Sequence, residues 1–390
     1  MTHENTGCLT GLRILIVTSG HTVHDHRIYY KLGRSLKSMG ASVAIIGTKN
    51  SHYPDDIEIL DVPPANSRPI RFLVQPWRCI IKATGQKPDI IHFHDAEMLL
   101  SLPLARLLFP HTQFIYDVHE DFANLLLVRD WVPNSLKKMA YQAINFTEKL
   151  LSRFAHGIVG VTPPLTNQFS NKHRITAHNF ISTDFFKNAS KYNKSFSRRD
   201  YDIAHLGTLS RKRAIFLGDV LKIYHARNPN TKSLVIGFPP EYGDLLKKFP
   251  RETTILGNIS HLKIPELLGN VKVGIDIHPW LGDHLKVAFP LKVNEYMAAG
   301  CAVVSSVMPV LKNLIKSAPD NLELFRIIDS RVPIAYVKAI ENLIRKALDN
   351  PDGLNKLRSF VFSKMNWQEE AKKIQNLYLT LLEKPCDTSL

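Results

Sequence analysis

Cysteine and long apolar runs are both scarce in this chain of 390 residues. The four cysteines stand far apart and no two form a C-x-x-C pair, so they indicate neither a zinc site nor a disulfide framework and favour a reducing cytoplasm. The longest apolar region, 98–109, contains a proline and an arginine and falls short of the roughly 20 apolar residues that span a bilayer. The first apolar run, 12–18, is too short for a secretion signal and predicts a strand. We therefore expect no membrane span.

Acidic residues are outnumbered by basic ones, 35 to 50, which gives a formal net charge of +15. Such an excess favours a negatively charged partner such as nucleic acid, anionic lipid or a phosphorylated ligand, although a generally basic solvated surface is an alternative. Zinc-finger spacing, aromatic RNA-binding strands and a concentrated basic tail are all missing from the sequence, which disfavours nucleic acid. We expect a phosphorylated ligand, and an anionic membrane surface as a second partner.

The G-x-G-x-x-G fingerprint of dinucleotide-binding proteins is absent as well. The chain instead contains two series of short apolar strands that alternate with helices, which predicts parallel α/β sheets with ligands bound beyond the carboxyl ends of the strands. The predicted strands lie near residues 12–20, 41–47, 89–95, 112–122 and 156–163 in the first series, and near 202–210, 233–239, 253–259, 273–279 and 301–306 in the second.

A polar, basic stretch with little periodicity separates the two series and is typical of a linker. We expect a first domain over 1–186, a linker over 187–201, a second domain over 202–365, and a C-terminal helix and tail over 366–390. The last helix carries one apolar stripe, formed by Ala371, Ile374, Leu377, Tyr378 and Leu381.

The segment 289–306, FPLKVNEYMAAGCAVVSS, predicts a helix followed by a buried strand. Pro290 suits the first turn of the helix and Gly300 its end. Lys292 and Glu295 are three residues apart and share a face. A carboxylate there can accept hydrogen bonds from a ribose diol, while the helix N-terminus and the lysine favour a diphosphate. An ordinary α/β unit with a solvated lysine and glutamate is the alternative.

The pattern P-x-K-x-x-E-Y-M-A-A-G-x-x-V-V resembles the donor-site signature of GT-B glycosyltransferases of the large retaining family four. The resemblance implies two Rossmann-like parallel-sheet domains facing across a cleft, with a C-terminal helix that crosses back to the first domain. It also implies that Glu295 holds the donor ribose, with Pro290, Leu291 and Lys292 around the nucleotide. Many members have a second glutamate eight positions earlier, which interacts with the transferred sugar; this chain has Val287 there.

A basic turn, GTLSRKRA, follows the first strand of the second series. Cations at this place can neutralise a diphosphate leaving group. In the glycosyltransferase pattern, a lysine or arginine six residues after the glycine contacts the donor diphosphate. Counting from Gly207 gives Arg213. A solvated basic turn is the alternative.

A histidine ends one predicted strand of the first series, in YDVHEDF. Related transferases place a histidine after this strand beside the donor sugar, so the resemblance implies that His119 hydrogen-bonds the sugar or the acceptor. Asp117 is an alternative for this role, and a purely structural histidine is another.

His92 and His94 share one side of the preceding strand, and Asp95 ends it. Two histidines and a carboxylate can bind zinc, but a third fixed ligand is not apparent, so we expect no metal. The H-x-H-D ending resembles the same superfamily at the matching strand. This implies that His94 and Asp95 line an acceptor-binding loop.

The first strand-to-helix turn contains Gly20, which lets a donor or acceptor approach the backbone closely. Asp25 follows and predicts a helix cap. The D-x-R-I pattern resembles a subgroup of bacterial polysaccharide glycosyltransferases, which implies that Asp25 and Arg27 belong to the acceptor site. The helix predicted over 135–154 has one apolar side and several lysines, and it either packs in the core or rests on an anionic membrane.

We therefore expect a glycosyltransferase of cell-surface polysaccharide synthesis that moves a hexose-type sugar from a UDP- or GDP-linked donor to a lipid-linked saccharide. Arg213 and Lys292 stabilise the departing diphosphate and His119 contacts the sugar, with retention and without metal or cofactor. The expected location is the cytoplasm, peripherally at the inner membrane face. A nucleotide-sugar epimerase and a catalytically inactive nucleotide-sugar or lipid-binding partner are the alternatives. The base, the sugar and the acceptor stay open.

Overall fold

The computed structural model describes residues 8–49, 56–127, 132–280, 282–316, 318 and 322–384. The chain forms two compact units, the first of residues 1–179 with 367–390 and the second of residues 180–366. Each unit has its own parallel sheet and apolar core, which confirms the expected α/β class with two Rossmann-like domains. Across these ranges, every helix is too short or too polar to cross a bilayer.

The sheet of the first unit has seven parallel strands. They are β1 (Arg13–Thr22), β2 (Ser42–Thr48), β3 (Glu58–Asp61), β4 (Ile90–Phe93), β5 (Gln113–Val118), β6 (Gly157–Gly160) and β7 (His173–Thr176). Their order is β3-β2-β1-β4-β5-β6-β7, so the direction of winding reverses between β1 and β4. Open α/β sheets bind ligands at this switch point, beyond the carboxyl ends of the strands.

The helices of the first unit connect these strands. A π-helical segment, His26–Gly33, continues into α1 (Arg34–Ser38), and single 3₁₀ turns occupy Ala96–Leu100 and Ser152–Phe154. The remaining helices are α2 (Arg68–Leu73), α3 (Gln75–Ala83), α4 (Leu102–Leu108), α5 (Phe122–Leu127), α6 (Asn134–Leu151) and α7 (Pro163–Thr166).

The second unit repeats the plan with six parallel strands. They are β8 (Tyr201–Leu206), β9 (Ser233–Ile236), β10 (Thr253–Leu256), β11 (Val271–Asp276), β12 (Ala302–Ser306) and β13 (Phe325–Ile328). The order β10-β9-β8-β11-β12-β13 places a second switch point between β8 and β11.

The helices of the second unit lie between and after these strands, with 3₁₀ turns at Phe196–Arg198, Pro240–Lys248 and His261–Lys263. The helices are α8 (Thr183–Tyr192), α9 (Arg211–Arg227), α10 (Ile264–Leu268), α11 (Asp283–Lys286), α12 (Leu291–Ala298), α13 (Pro309–Lys316), α14 (Pro333–Asp349) and α15 (Asp352–Lys364).

The last helix, α16 (Trp367–Leu381), belongs to the first unit. The Trp367 indole Nε1 donates to Ser35 Oγ at 2.9 Å, and the Tyr378 hydroxyl lies 2.7 Å from His92 Nδ1. Most of the predicted apolar stripe of α16 is buried in the core of this unit. The expectation that the C-terminal helix returns to the first domain is thereby confirmed.

The residues predicted to be a linker, 187–201, are structured and belong to the second unit. They contain the second half of α8, a 3₁₀ turn and the start of β8. Arg199 in this stretch is only 4% exposed, because its Nη1 donates to Val271 O and Gly300 O, both at 2.7 Å. The polar composition thus reflects internal hydrogen bonding as well as solvation, which a sequence pattern does not distinguish.

Cys79 and Cys301 are free and buried. The prediction that the cysteines form no disulfide framework also concerns Cys386, which lies outside the described residues.

Helix α12 is fixed to the second sheet by Tyr296. Its hydroxyl accepts from the Leu206 N–H at 2.7 Å and donates to Ile275 O at 3.3 Å. The ring lies directly over Gly274 of β11, where an added Cβ would stand 2.1 Å from Tyr296 Cγ. A glycine at this point therefore allows α12 to approach the sheet closely.

We expect Gly274→Ala to destabilise the protein by about 3 kcal/mol or more, because the methyl group and the Tyr296 ring cannot occupy the same space. The matched control is Gly243→Ala, whose Cβ meets no atom within 4 Å and which should cost less than about 1 kcal/mol. Chemical denaturation measures both. Equal losses from the two variants would contradict this packing.

Candidate functional site

The first candidate cluster lies at the switch point of the first unit, where Asp95 follows β4. Its carboxylate is 4% exposed and accepts from Thr18 Oγ1 at 2.7 Å, from the Ser19 N–H at 2.8 Å and from the Gly20 N–H at 3.0 Å. His21 Nδ1 lies 2.8 Å from the same carboxylate. Asp95 thus holds the end of β1 in place and brings Gly20 to the site.

The ion pair of His21 and Asp95 is charged at neutral pH. The hydrogen bond to Asp95 raises the pKa of His21 to about 9. Burial would raise the pKa of Asp95, but the hydrogen bond and the charge of His21 together hold it below its usual range. The His21 side chain is 43% exposed, so this site presents a cation to solvent above a buried anion.

The second cluster surrounds Asp117 in β5, which is fully buried. Arg27 binds it with Nε and Nη2, at 2.9 to 3.1 Å. His92 Nε2 lies 3.2 Å away, and His94 Nδ1 and His119 Nε2 lie 3.5 and 3.4 Å from its two oxygens. Four basic side chains therefore meet at one carboxylate. Arg27 comes from the π-helical segment, His92 from β4, and His94 and His119 from the turns after β4 and β5.

Burial and neighbouring charges determine which groups of this cluster are protonated. Burial would raise the pKa of Asp117, but Arg27 and then His119 bring it well below its usual range. Burial lowers the pKa values of His92 and His94, so both rings are neutral at neutral pH. His94 Nδ1 lies 2.9 Å from His119 Nε2, so one ring donates to the other and fixes the partly exposed His119.

Two of the predicted acceptor residues have structural roles. Asp25 caps the π-helical segment, accepting from the Arg27 N–H at 2.8 Å and the Ile28 N–H at 3.3 Å, which agrees with the capping interpretation. Arg27 is 2% exposed and its guanidinium is bound by Asp117 and Ala177 O. The Arg27 side chain is thus an internal counter-ion, and its assignment to the acceptor site stays a prediction.

The sequence offered His92 and His94 as possible metal ligands without a third. In the structure the carboxylate of Asp117 lies within 4.8 Å of the possible ligand atoms of both histidines. Both of its oxygens already bind Arg27. The arginine supplies the positive charge that a cation would bring, so the donor set favours an internal ion pair over a metal centre.

The donor-type cluster of the second unit lies at the other switch point. Gly207 follows β8 with φ of +93°, a conformation that favours glycine, and Asp276 ends β11 fully buried. Lys292 Nζ lies 3.4 Å from Asp276 Oδ1 and 3.4 Å from His205 Nε2, and His278 Nε2 lies 3.2 Å from Asp276 Oδ1. The structure therefore brings the predicted residues Gly207 and Lys292 close to each other. The carboxylate beside Lys292, Asp276, was not among the predicted residues.

The protonation of this cluster is set mainly by burial. Burial lowers the pKa of Lys292 to about 8, against the attraction of Asp276. It also lowers the pKa values of His205 and His278, which are neutral at neutral pH. Burial would raise the pKa of Asp276, but His278 and Lys292 bring it well below its usual range.

Arg213 lies in the first turn of α9, beside the same strand ends. Its Nε donates to Ile277 O at 2.6 Å and its Nη1 to Thr208 O at 3.3 Å. Its Nη2 is buried and has no hydrogen-bond partner in the part of the chain that the structure describes. An unpaired buried donor on a cation is costly without a partner, so this atom is available for an anion.

Glu295 lies one turn along α12 from Lys292. Its Oε1 is 2.8 Å from His261 Nε2, and its side chain is 13% exposed. Pro290 directly precedes the helix, Leu291 begins it with 40% exposure, and Gly300 follows it with φ of +69°. The predicted helix and its glycine end are therefore present.

Besides His21, which directly follows Gly20, four residues of the clusters were missed in the sequence. His205, Asp276 and His278 lie in predicted strands and turns, and His261 lies in a turn that carried no motif. The signal that could have found the first three is shared position, because all stand at carboxyl ends of strands next to the switch point. His261 is placed only by the tertiary fold.

We expect Arg27→Gln to destabilise the protein by about 3 to 5 kcal/mol, because it leaves the buried Asp117 without its main counter-ion. Arg34→Gln, seven residues further along the chain, is the matched control. Its ion pair with Asp56 is half-exposed and should contribute about 1 kcal/mol or less. Denaturant unfolding of both variants measures the difference. A small loss for Arg27→Gln would show that Asp117 is neutral or solvated.

Two family models match the chain. The model of Glycosyltransferase Family 4 matches residues 26–185, and that of Glycosyl transferases group 1 matches residues 200–346. No curated protein sequence matches the chain. The two matched ranges correspond to the two units of the structure and together cover most of the chain.

Solved structures resemble the chain over nearly its whole length. Sucrose-phosphate synthase from Thermosynechococcus elongatus is 16% identical with a TM-score of 0.70, covering 95% of this chain and 99% of that one. Anabaena HepE in complex with UDP is 12% identical with a TM-score of 0.67, covering 95% and 100%. The lipopolysaccharide outer core galactosyltransferase WaaB is 12% identical with a TM-score of 0.60, covering 95% and 99%. With both family matches on this shared fold, the chain is a GT-B glycosyltransferase of the family 4 and group 1 type.

Proposed function

We propose that the chain transfers a hexose from a UDP- or GDP-linked donor to a lipid-linked saccharide, with retention at the anomeric carbon. The observation that carries this proposal is the buried Nη2 of Arg213, which has no hydrogen-bond partner among the described residues. Arg213 and Lys292 both act on the buried Asp276 at the switch point of the second unit. Two cations, one in the first turn of α9 and one in the first turn of α12, suit a diphosphate, whose charge grows as the sugar departs.

Each donor residue has a distinct role in this proposal. Lys292 and Arg213 bind the diphosphate, and the open backbone at Gly207 lets it approach. Glu295 binds the ribose diol, for which it exchanges its contact with His261. Because the chain's own cations stabilise the leaving group, the proposed chemistry requires no metal and no cofactor.

The first unit contributes the acceptor side of the proposal. His119 is partly exposed and oriented by His94, so it is suited to hydrogen-bond a sugar hydroxyl. Gly20 and the exposed His21 cation lie at the switch point of the same sheet. HepE was solved with UDP and with UDP-glucose, and WaaB is a lipopolysaccharide galactosyltransferase, which supports a nucleotide-sugar donor and a saccharide acceptor. The proposed place of reaction is the cytoplasmic face of the inner membrane.

We expect sugar transfer when the protein is incubated with UDP- or GDP-hexoses and a membrane lipid extract, and the product should keep the donor's anomeric configuration. Mass spectrometry detects the product and NMR of the anomeric proton assigns its configuration. An inverted product would reject front-side attack assisted by the leaving phosphate. Isomerised donor without transfer would instead identify an epimerase, and neither reaction would identify a binding protein.

We expect the affinity for a UDP- or GDP-hexose to fall as the pH rises from 7 to 9, because Lys292, with its pKa of about 8, loses the charge that binds the diphosphate. Above that pKa the loss approaches about tenfold per pH unit. Lys292→Met should bind more weakly and without this dependence. Glu295→Gln is the control: it should weaken binding at every pH and leave the pH profile in place. Calorimetry at each pH measures this, and an unchanged profile in Lys292→Met would contradict the assignment.

A further inference from the structure

The apolar stripe of α6 faces away from the core. No residue of this 18-residue helix is buried. Leu136, Met139, Phe146 and Leu150 are 46%, 61%, 67% and 43% exposed, and their spacing places them along one side of the helix. The core-packed interpretation of this helix is therefore wrong, and the stripe has no cover in the part of the first unit that the structure describes.

Basic residues flank this stripe without acidic ones. Along one edge of the stripe lie three exposed basic residues, Lys138, Lys149 and Arg153. The single carboxylate between residues 133 and 154 is Glu148, which faces inward and accepts from the Tyr116 hydroxyl at 2.8 Å. Burial raises the pKa of Glu148 to about 7, so even this group is partly neutral. The outward side of the helix thus combines apolar, positive and neutral polar groups such as Gln142, without a carboxylate.

A second exposed apolar face adjoins the end of α6. Leu104, Leu107 and Leu108 of α4 are 45%, 77% and 51% exposed, at a spacing that places them together. Arg106 Nη1 donates to Phe154 O at 3.4 Å, which joins the end of α4 to the turn that follows α6. No aspartate or glutamate occurs between residues 98 and 116. Both helices therefore present the same chemistry.

We propose that these outward faces of α6 and α4, the docking face, bind the chain to an anionic phospholipid bilayer. Apolar side chains of an amphipathic helix enter the boundary between headgroups and acyl chains, while lysine and arginine pair with anionic headgroups. A second copy of the chain would oppose like charges across the same face, so self-association explains the apolar residues but not the basic ones. The docking face would bring the chain to its lipid-linked acceptor, and only this connection to the acceptor rests on the proposed function.

Vesicle flotation of the full chain tests the docking face. The protein should float with vesicles of phosphatidylglycerol and phosphatidylcholine, less so at high salt, and not with phosphatidylcholine alone. Met139→Gln with Phe146→Gln, and separately Lys138→Gln with Lys149→Gln, should each weaken binding tenfold or more. Lys356→Gln with Lys364→Gln, exposed in α15 of the second unit, is the charge-matched control and should bind like the wild type.

The variants change exposed side chains, so unchanged melting temperatures verify that they fold. Equal binding by all variants, or no binding of the wild type to anionic vesicles, would overturn the proposal. A concentration-dependent dimer that Met139→Gln with Phe146→Gln abolishes, without vesicle binding, would identify the face as a self-association surface and also overturn it. Flotation needs no catalysis, and thermal shift with UDP- and GDP-hexoses measures donor binding separately, so the failure of either proposal is distinguishable from the failure of the other.

Discussion

A carboxylate removed from water is stable only when cations or hydrogen-bond donors surround it, and three such carboxylates organise both candidate sites. Asp95, Asp117 and Asp276 are each nearly or fully buried, and each lies in or just beyond the carboxyl-terminal part of a parallel strand. The groups around them are also the groups of the sites: backbone N–H groups for Asp95, Arg27 for Asp117, and Lys292, at an ion-pair distance of 3.4 Å, for Asp276. Positioning of the site and stability of the sheet ends therefore have the same physical cause.

The histidines follow from the same constraint. A neutral ring can donate a hydrogen bond to a buried carboxylate without adding a second buried charge, and burial keeps His92 and His278 in that form. His119 is less buried and receives its orientation from His94. The buried His94 ring and the more accessible His119 ring thus form one unit beside Asp117, and the Asp117 carboxylate orients the His119 ring.

The central strands could be predicted from sequence because they are continuous apolar runs buried on both faces. The three strands that carried no such signal, β3, β7 and β13, all lie at sheet edges, where exposure permits polar residues. The helix and glycine end of 289–306 were predictable because they are local. Partners such as Asp276 for Lys292 or Asp117 for Arg27 were not, because they depend on which strands become neighbours. Arg199 shows the same limit, since a buried arginine and a linker arginine have the same local sequence.

The donor cluster places two cations beside a buried carboxylate, an arrangement that suits the phosphate groups of the proposed donor. Arg213 and Lys292 lie near the buried Asp276, while His205 is neutral and Glu295, one turn further along α12, contacts His261. The lowered pKa of Lys292 shows that Asp276 alone does not compensate for its burial. Val287 stands at the position of the second glutamate in the signature that this segment resembles, and it adds no charge. In the proposed reaction, groups other than this glutamate therefore select the transferred sugar.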